Sequence, residues 1–410
     1  GVVPLDAYQV EFGKVGTPGV VLEDLSAGLT SAIEELTRPV DAIKHQAKTV
    51  TVGISRSDET LLRVRLVQDV LAAGVALRER HSWLKHQDAI GASIMIISLL
   101  GMITSGTLYV QGVIAWWICV PVTAIFASFI HELEHDLIHI MYFRKQPKII
   151  NFMLLMGWIA RASTVSPFVR RKLHLHHHKF SGTESDLEER GITNGERWGL
   201  RRLLMTGDNM LAVYLRPMTM RNATKAYIQS QKPKSKAEVH AMVKEQVGAY
   251  FPLGNIYYAL FHGWVVWHLV SFGAGATGYA ITLPSWAETG LNGLDIFAVV
   301  YMLPAFLRTF CLHFISSNMH YYGDVEAKNV MQQCQVLNPW WLMPMQMFCF
   351  NFGSTHAIHH FAVKEPFYIR QANAKIAHKV MREMGVRFND FAALKRANRF
   401  FASSETTATS

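Results

Sequence analysis

Ten of the nineteen histidines fall in three short clusters: His131, His135 and His139 in HELEHDLIH, His174, His176, His177 and His178 in LHLHHHKF, and His356, His359 and His360 in STHAIHHF. Neutral imidazole is a good ligand for zinc, iron and neighbouring transition metals. On a helix, His131 and His135 at i and i+4 share one face, and the HxxHH pattern of the other two clusters places i, i+3 and i+4 on one face again. Eight imidazoles presented this way, from His131, His135, His174, His177, His178, His356, His359 and His360, exceed what one tetrahedral zinc can use. The count points to two metals. Single histidines such as His45, His81, His86, His240 and His378 read as ordinary surface or packing residues. His262 and His268 fall inside an apolar stretch and read as packing or helix–helix hydrogen-bonding groups.

The first cluster is also a literal HExxH, His131 to His135, the pattern in which two histidines bind zinc and the glutamate is the general base of a protease. An intramembrane zinc metalloprotease is therefore the rival reading. It needs a further ligand and leaves both HxxHH clusters without a role. The four cysteines, Cys119, Cys311, Cys334 and Cys349, show no CxxC spacing, so no iron–sulfur or zinc-ribbon site is readable.

Elements able to hold these clusters follow from the apolar residues. The 410-residue chain is 50% hydrophobic and only 17% charged, and its apolar residues are gathered into blocks. Residues 89–130 and 246–287 contain no Asp, Glu, Lys or Arg. The first block is 42 residues long, about twice the roughly 20 needed to cross a hydrocarbon core. It predicts a helical hairpin, with spans near 88–108 and 113–130 around a Ser/Gly break at 104–112. The second block and its continuation predict spans near 248–272 and 296–314. The fold expected is thus all-α and integral to the membrane, with four transmembrane helices as two hairpins. Residues 131–247 hold 19 Lys/Arg and residues 308–410 hold 11, against none in the connectors at 104–112 and 273–295. The positive-inside rule then places the middle segment, the carboxy-terminal tail and, by parity, the amino terminus on the cytoplasmic side. The net charge of +9 reads as a topological and lipid-headgroup signal, not a nucleic-acid surface.

The expected organisation is a cytosolic segment over 1–82, a catalytic body over 83–370 and a helix with a polar tail over 371–410. Tyr8 and Phe12 are the only aromatics before Trp83. Leu25–Thr37 has helical spacing, Thr49–Ile54 reads as a strand, and Ala32–Asp58 resembles part of a sugar-isomerase-type aminotransferase, which makes the segment an appended piece or a cytosolic lead-in. No cleavable signal peptide is readable in the first residues.

Across residues 83–370, the order HxxxH, HxxHH, HxxHH and the paired spans resemble the membrane fatty acid desaturase superfamily, which includes desaturases, fatty-acid and alkane hydroxylases and 1-alkene-forming decarboxylases. The resemblance implies that a helical cytosolic lobe caps the four spans and holds a histidine-rich di-metal site with two non-haem irons, dioxygen as oxidant and iron ligation by the eight histidines. His320, at the end of the last span, is then the ninth ligand and His313 its reserve. Asn318 stands only two residues before His320, which departs from the family's NxxxH pattern. His139 and His176 are auxiliary. Two irons suit such chemistry because an unactivated C–H bond is beyond side-chain acids and bases. Glu132, Glu134, Asp136, Asp186 and Asp324 are candidates to accept hydrogen bonds from the ligands' second ring nitrogens. Arg170, Arg171 and Lys172 are candidates for a substrate headgroup, and segments 152–159, 250–261 and 338–352 for tunnel walls. The expected reaction is oxidation of a fatty acid or acyl thioester, with desaturation foremost and hydroxylation or oxidative decarboxylation using the same ligands. Electrons come from a separate donor of ferredoxin, rubredoxin or cytochrome b5 type with its reductase, because no such module is readable in the chain.

Overall fold

The structure, a computed structural model, describes residues 56–401. The expectations placed on Leu25–Thr37, on Thr49–Ile54, on most of Ala32–Asp58 and on the final polar tail lie outside the described residues. Helix α1 (Arg56–Arg80) opens with Asp58 and Glu59 and closes with Arg78 and Arg80, charges that match the helix dipole. Its Leu66 and Val70 are buried in the core of the lobe. A fully buried leucine contributes about 2 kcal/mol, so α1 is held by its apolar stripe.

Helices α2 (Gln87–Val110) and α3 (Trp116–Ile138) form the first hairpin. The turn falls at the far end of the expected break at 104–112. Ser105 and Gly106 are buried contacts rather than breakers: Thr123 Oγ1 donates to Ser105 Oγ at 3.1 Å. At Gly101 a Cβ would stand 2.5 Å from the Phe126 ring, so the two helices approach closely there. Chain reversal falls at Gly112, whose φ is +72°. The other face of α2 presents Ile96, Ile97, Leu100 and Ile103, all 57–64% exposed, a stripe suited to lipid. Helix α3 continues past the expected end of its span, so one rod carries both the apolar segment and His131 and His135.

Helices α4 (Pro147–Ala160), α5 (Pro167–Phe180) and α6 (Pro217–Ser230) each begin at a proline, whose fixed φ and missing N–H suit the first helical turn. Ser235 caps α7 (Lys236–Val247) by accepting from Glu238 N. Helix α8 (Leu253–Ala276) follows, then a continuous 35-residue rod made of α9 (Ser285–Phe297), a π-turn at Ala298–Met302 and α10 (Leu303–Met319). Pro304 lies just beyond the π-turn, where the widened turn accommodates its missing N–H and its ring. Helices α11 (Phe352–Phe361) and α12 (Ala374–Glu383) complete the lobe. No strand occurs among the described residues.

Among the described residues, three helices are long and apolar enough to cross a membrane: α2, α3 and the rod Ser285–Met319. Helix α8 is not one of them. It lacks charged residues, but Asn255, His262, His268 and its Tyr and Trp residues lower its mean hydropathy. The four-span expectation thus rests on α8, whose Ile256, Val266, Leu269, Val270 and Phe272 are exposed.

Helix α3 packs against α2 on one side and α10 on the other. The lobe's core joins the inner end of α10 (Leu312, Ile315, Met319) to α1, α11 and α12 (Ala357, Ile358, Ala377, Met381). Gly353 fixes the start of α11: a Cβ there would stand 2.5 Å from Leu337 O, and its N–H donates to Gln346 Oε1 at 3.0 Å.

Candidate metal centre

Four elements bring their histidines to one place. The inner end of α3 supplies His135, with His139 as its C-cap residue; α5 supplies His174, His177 and His178; the C-cap of α10 is His320; and α11 supplies His356, His359 and His360. They converge in two groups, each with its ring nitrogens within 4.8 Å of one another: His135, His139, His174, His178 and His359 in the first, and His177, His320, His356 and His360 in the second.

Within the first group, His139 Nε2 stands 3.0 Å from His174 Nε2 and 3.0 Å from His359 Nε2, and His178 Nε2 stands 3.1 Å and 3.0 Å from the same two atoms. In the second, His360 Nε2 lies 3.1 Å from His356 Nε2 and 3.4 Å from His320 Nε2. Both ring nitrogens of His135 and Nε2 of His177 are buried without a hydrogen-bond partner. Buried nitrogens without partners are costly unless something else meets their lone pairs.

The opposite edges of several rings are held. His174 Nδ1 faces Glu188 Oε2 at 2.9 Å, His177 Nδ1 faces Asp186 Oδ2 at 2.9 Å, His360 Nδ1 faces Gln333 Oε1 at 3.0 Å, and His320 Nδ1 donates to Ser316 O at 2.7 Å. These contacts put a hydrogen on Nδ1 and leave the Nε2 lone pair directed inward. Burial drives His174 down to about 4 and, joined by repulsion among neighbouring rings, holds His178, His356, His359 and His360 well below the ordinary range. Burial also works against charge on His177, but the Asp186 carboxylate, with Glu189 and Glu188 beyond it, pulls that ring up to about 9.

Several expected roles are redistributed. His131 joins neither group: its Nδ1 is 3.3 Å from Glu132 Oε1 and its Nε2 is 3.2 Å from Arg170 Nη2. His139, read as auxiliary, stands inside the first group. His176 turns outward to Ser185 and Gln231. His313 lines the neighbouring cavity, and Asn318 accepts from Trp198 Nε1 and donates to Phe314 O. Of the five expected carboxylates, Asp186 lies beside a ring of the second group, its Oδ2 2.9 Å from His177 Nδ1. Asp136 accepts from Tyr142, Phe367 N and Arg370 and stays 3.7 Å from His135 Nδ1. Glu132 faces His131 and Arg370, and Glu134 is taken by Arg161 and Arg170. Asp324 accepts from the backbone of Phe400 and Phe401, away from the histidines. Glu188, Gln333 and Arg370, whose Nη1 is 3.1 Å from His359 Nδ1, were not singled out from sequence. Glu188 had a signal, the acidic run Glu184–Glu189 following the second cluster. Gln333 had none.

Beside the histidines lies a cavity of about 910 Å³. Its inner end is formed by His135, His174, His177 and His356, and it runs out between α6 and α7 past Met210, Val213, Met220, Ile228, Val239 and Val243. The wall expected from 152–159 is elsewhere; Phe152 and Ile159 are exposed on the outside. Tyr250 and Phe352 do line it. The basic triplet does not serve as an open headgroup site: Arg170 is engaged by Glu134 and Glu188, Arg171 by Asn151 and Lys172 by Glu245. Besides Arg170, the cations at the cavity wall are Arg221 and Lys225.

The family described as fatty acid desaturase matches residues 111–392, more than half of the chain. That interval contains every histidine of both groups. No curated protein matches the chain.

Proposed function

The chain belongs to the fatty acid desaturase family, and on that premise we propose that it is a membrane oxidoreductase that oxidises a fatty acyl chain with two irons and dioxygen, introducing a carbon–carbon double bond. The observation that carries this reading is the pair of convergent, buried imidazole groups at the inner end of an apolar cavity.

The residues fit metal ions. The nine imidazoles, five in one group and four in the other, bring a ring nitrogen each within 4.8 Å of the rest of their group, and both nitrogens of His135 and Nε2 of His177 are buried without a hydrogen-bond partner. The first group would hold one iron through His135, His139, His174, His178 and His359, and the second another through His177, His320, His356 and His360. When bound, two irons supply the electrons and oxidising power that break an O–O bond and an unactivated C–H bond.

The protein's part is positioning and exclusion. Glu188, Asp186, Gln333 and the Ser316 carbonyl keep protons on the outer ring nitrogens, so each imidazole presents its lone pair without rotating. The apolar wall from Met210 to Val243 holds an acyl chain and keeps bulk water from the histidines. The HExxH reading loses its support, because His131 and His135 face different partners and Glu132 is engaged by Arg370.

Purified protein, analysed for metal and supplied with dioxygen, a reductant and either free fatty acid, acyl thioester or alkane, is expected to contain two irons and to yield an oxygen-dependent unsaturated product. One zinc per chain with peptide cleavage would replace this reading with the protease. A hydroxylated chain or a shortened 1-alkene would keep the family chemistry and change the outcome.

With α8 as a fourth span, the histidine lobe and both termini lie on the cytoplasmic side, as the basic residues of 131–247 direct. A separate electron donor then docks on that basic face. Turnover with a donor is expected to fall as ionic strength rises beyond about 0.15 M, where the screening length is about 8 Å. A rate that holds steady across a salt titration would refute electrostatic docking.

A further inference from the structure

Several cations of the lobe are answered by a carboxylate: Arg161 and Arg170 share Glu134, Lys172 meets Glu245 and Arg216 meets Glu196. One group is not. Arg80 and Lys85 precede α2, Arg144 and Lys145 follow α3, and Lys148 opens α4. All five are exposed, and none makes an ion pair among the described residues. The two stretches of chain lie side by side. Gln87 Nε2 donates to Met141 O at 2.6 Å, Phe143 N donates to Asp88 Oδ1 at 2.8 Å, and a Cβ at Gly91 would stand 2.5 Å from the Tyr142 ring. Glu79 and Asp88 are the acids of residues 79–88 and 140–149, so five cations stand against two carboxylates. Like charges gathered on one edge set up a local positive potential that draws anions to it.

The position of this edge says which anion. Helices α2 and α3 are long and apolar enough to cross a membrane, and the cations sit where both meet the histidine lobe, at the level of lipid headgroups. Helix α4 leads back down from that level. A Cβ at Gly157 would stand 3.2 Å from Ile130 Cγ2 and 3.8 Å from Met95 Cε. Met95 lies eight residues beyond Gln87, about 12 Å along the axis of α2, so α4 dips about that far beside the hairpin. Lys148, Phe152, Leu155 and Ile159 recur at i, i+4, i+7 and i+11, one face of α4, and the three apolar ones are exposed. The stripe thus carries a cation at headgroup level and apolar side chains beneath it. Trp83, 61% exposed and close to Lys85, is of the type that settles at a membrane interface. We propose that Arg80, Lys85, Arg144, Lys145 and Lys148 form a binding site for anionic phospholipid in the leaflet on the histidine-lobe side. Headgroup phosphates meet the cations, and acyl chains lie along α4. An acidic protein would match the cations but leave the apolar stripe uncovered. The site stands on the membrane-spanning hairpin and not on the oxidation chemistry, so its test reads lipid binding.

The full-length protein is reconstituted into phosphatidylcholine vesicles, brominated phosphatidylglycerol or brominated phosphatidylcholine is titrated in, and quenching of tryptophan fluorescence is read. The anionic lipid is expected to bind at least about tenfold more tightly, since each basic residue near a membrane surface multiplies the attraction severalfold. Trp83→Phe should remove most of the extra quenching. The preference should shrink as salt rises to about 1 M, where the screening length is about 3 Å. Glycerol phosphate, the headgroup without chains, should not relieve the quenching. Combining K85Q, R144Q, K145Q and K148Q should bring the two lipids within about twofold of each other, whereas exchanging Lys and Arg at the same four positions should keep the preference. The salt titration of the unaltered protein decides the matter if the glutamine variant fails to insert. Equal binding of the two lipids to the unaltered protein would overturn the proposal, as would a preference that survives in the glutamine variant or in high salt. Relief by glycerol phosphate would overturn the lipid assignment and leave a site for free anions. An intact lipid preference in the glutamine variant, with donor-dependent turnover lost, would give the cluster to an acidic protein instead.

Discussion

Replacing His139 by alanine is expected to empty one of the two metal positions and to lower turnover more than about 100-fold, beyond what loss of a hydrogen-bond partner to a ligand costs. The same change at His131 is expected to leave both irons bound. The contrast tests the site because the two residues are interchangeable in the sequence: each forms an HxxxH pair with His135. In the structure, His139 Nε2 stands 3.0 Å from both His174 and His359, whereas His131 Nε2 faces Arg170. Metal analysis of the two variants, from preparations of equal folded content, decides it. Iron lost from the His131 variant and kept in the His139 variant would reverse the assignment.

The second large effect falls on Asp186. Its Oδ2 lies 2.9 Å from His177 Nδ1 and accepts from Gly182 N at 2.9 Å, and its Oδ1 caps the short helix Leu187–Gly191 at Glu189 N. Asp186→Ala is expected to weaken iron at the four-histidine group by about 10–100-fold, the usual cost of removing a carboxylate behind a metal-binding imidazole. Loss of the buried acceptor should also destabilise the protein by about 1–3 kcal/mol. Asp186→Asn keeps an acceptor for Gly182 but can present an amide to His177, so it should recover more stability than metal affinity. Iron titration and thermal unfolding of both variants separate these contributions. Unchanged iron affinity in the alanine variant would show that His177 needs no orienting partner.

Much of the architecture was readable because lipid-facing sequence is unambiguous. The charge-free interval 89–130 had to be a hairpin, and the HxxHH spacing had to place three imidazoles on one helical face. Precision failed at the helix ends. Ser105 and Gly106 fell inside the expected break at 104–112, but here they stay helical, Ser105 against Thr123 of α3 and Gly106 against Val300 of the π-turn. His131, His135 and His139 advance about 40° around the helix with each step of four residues, at 3.6 residues per turn. All three cannot face one metal, and the last two are the ones whose rings meet those of His174 and His359. Gln333 and Arg370 come from loop and helix positions with no pattern around them, so their contacts to His360 and His359 were not legible. The basic triplet Arg170–Lys172 misled for the opposite reason: conspicuous charge in sequence was already neutralised by Glu134, Glu188 and Glu245 in space.

Arg308, fully buried on α10 within the rod Ser285–Met319, bears on how the molecule is made. An arginine near the middle of a spanning helix adds up to about 3 kcal/mol to the cost of partitioning from the translocon into lipid. The rod Ser285–Met319 carries that penalty, and the carboxylate nearest to relieving it, Glu134, belongs to α3, synthesised about 170 residues earlier. The first hairpin therefore has to be in the bilayer before the rod arrives, to offer a docking surface during insertion. Biogenesis of this chain is then a cooperative event between its first and last apolar segments rather than a series of independent decisions made helix by helix.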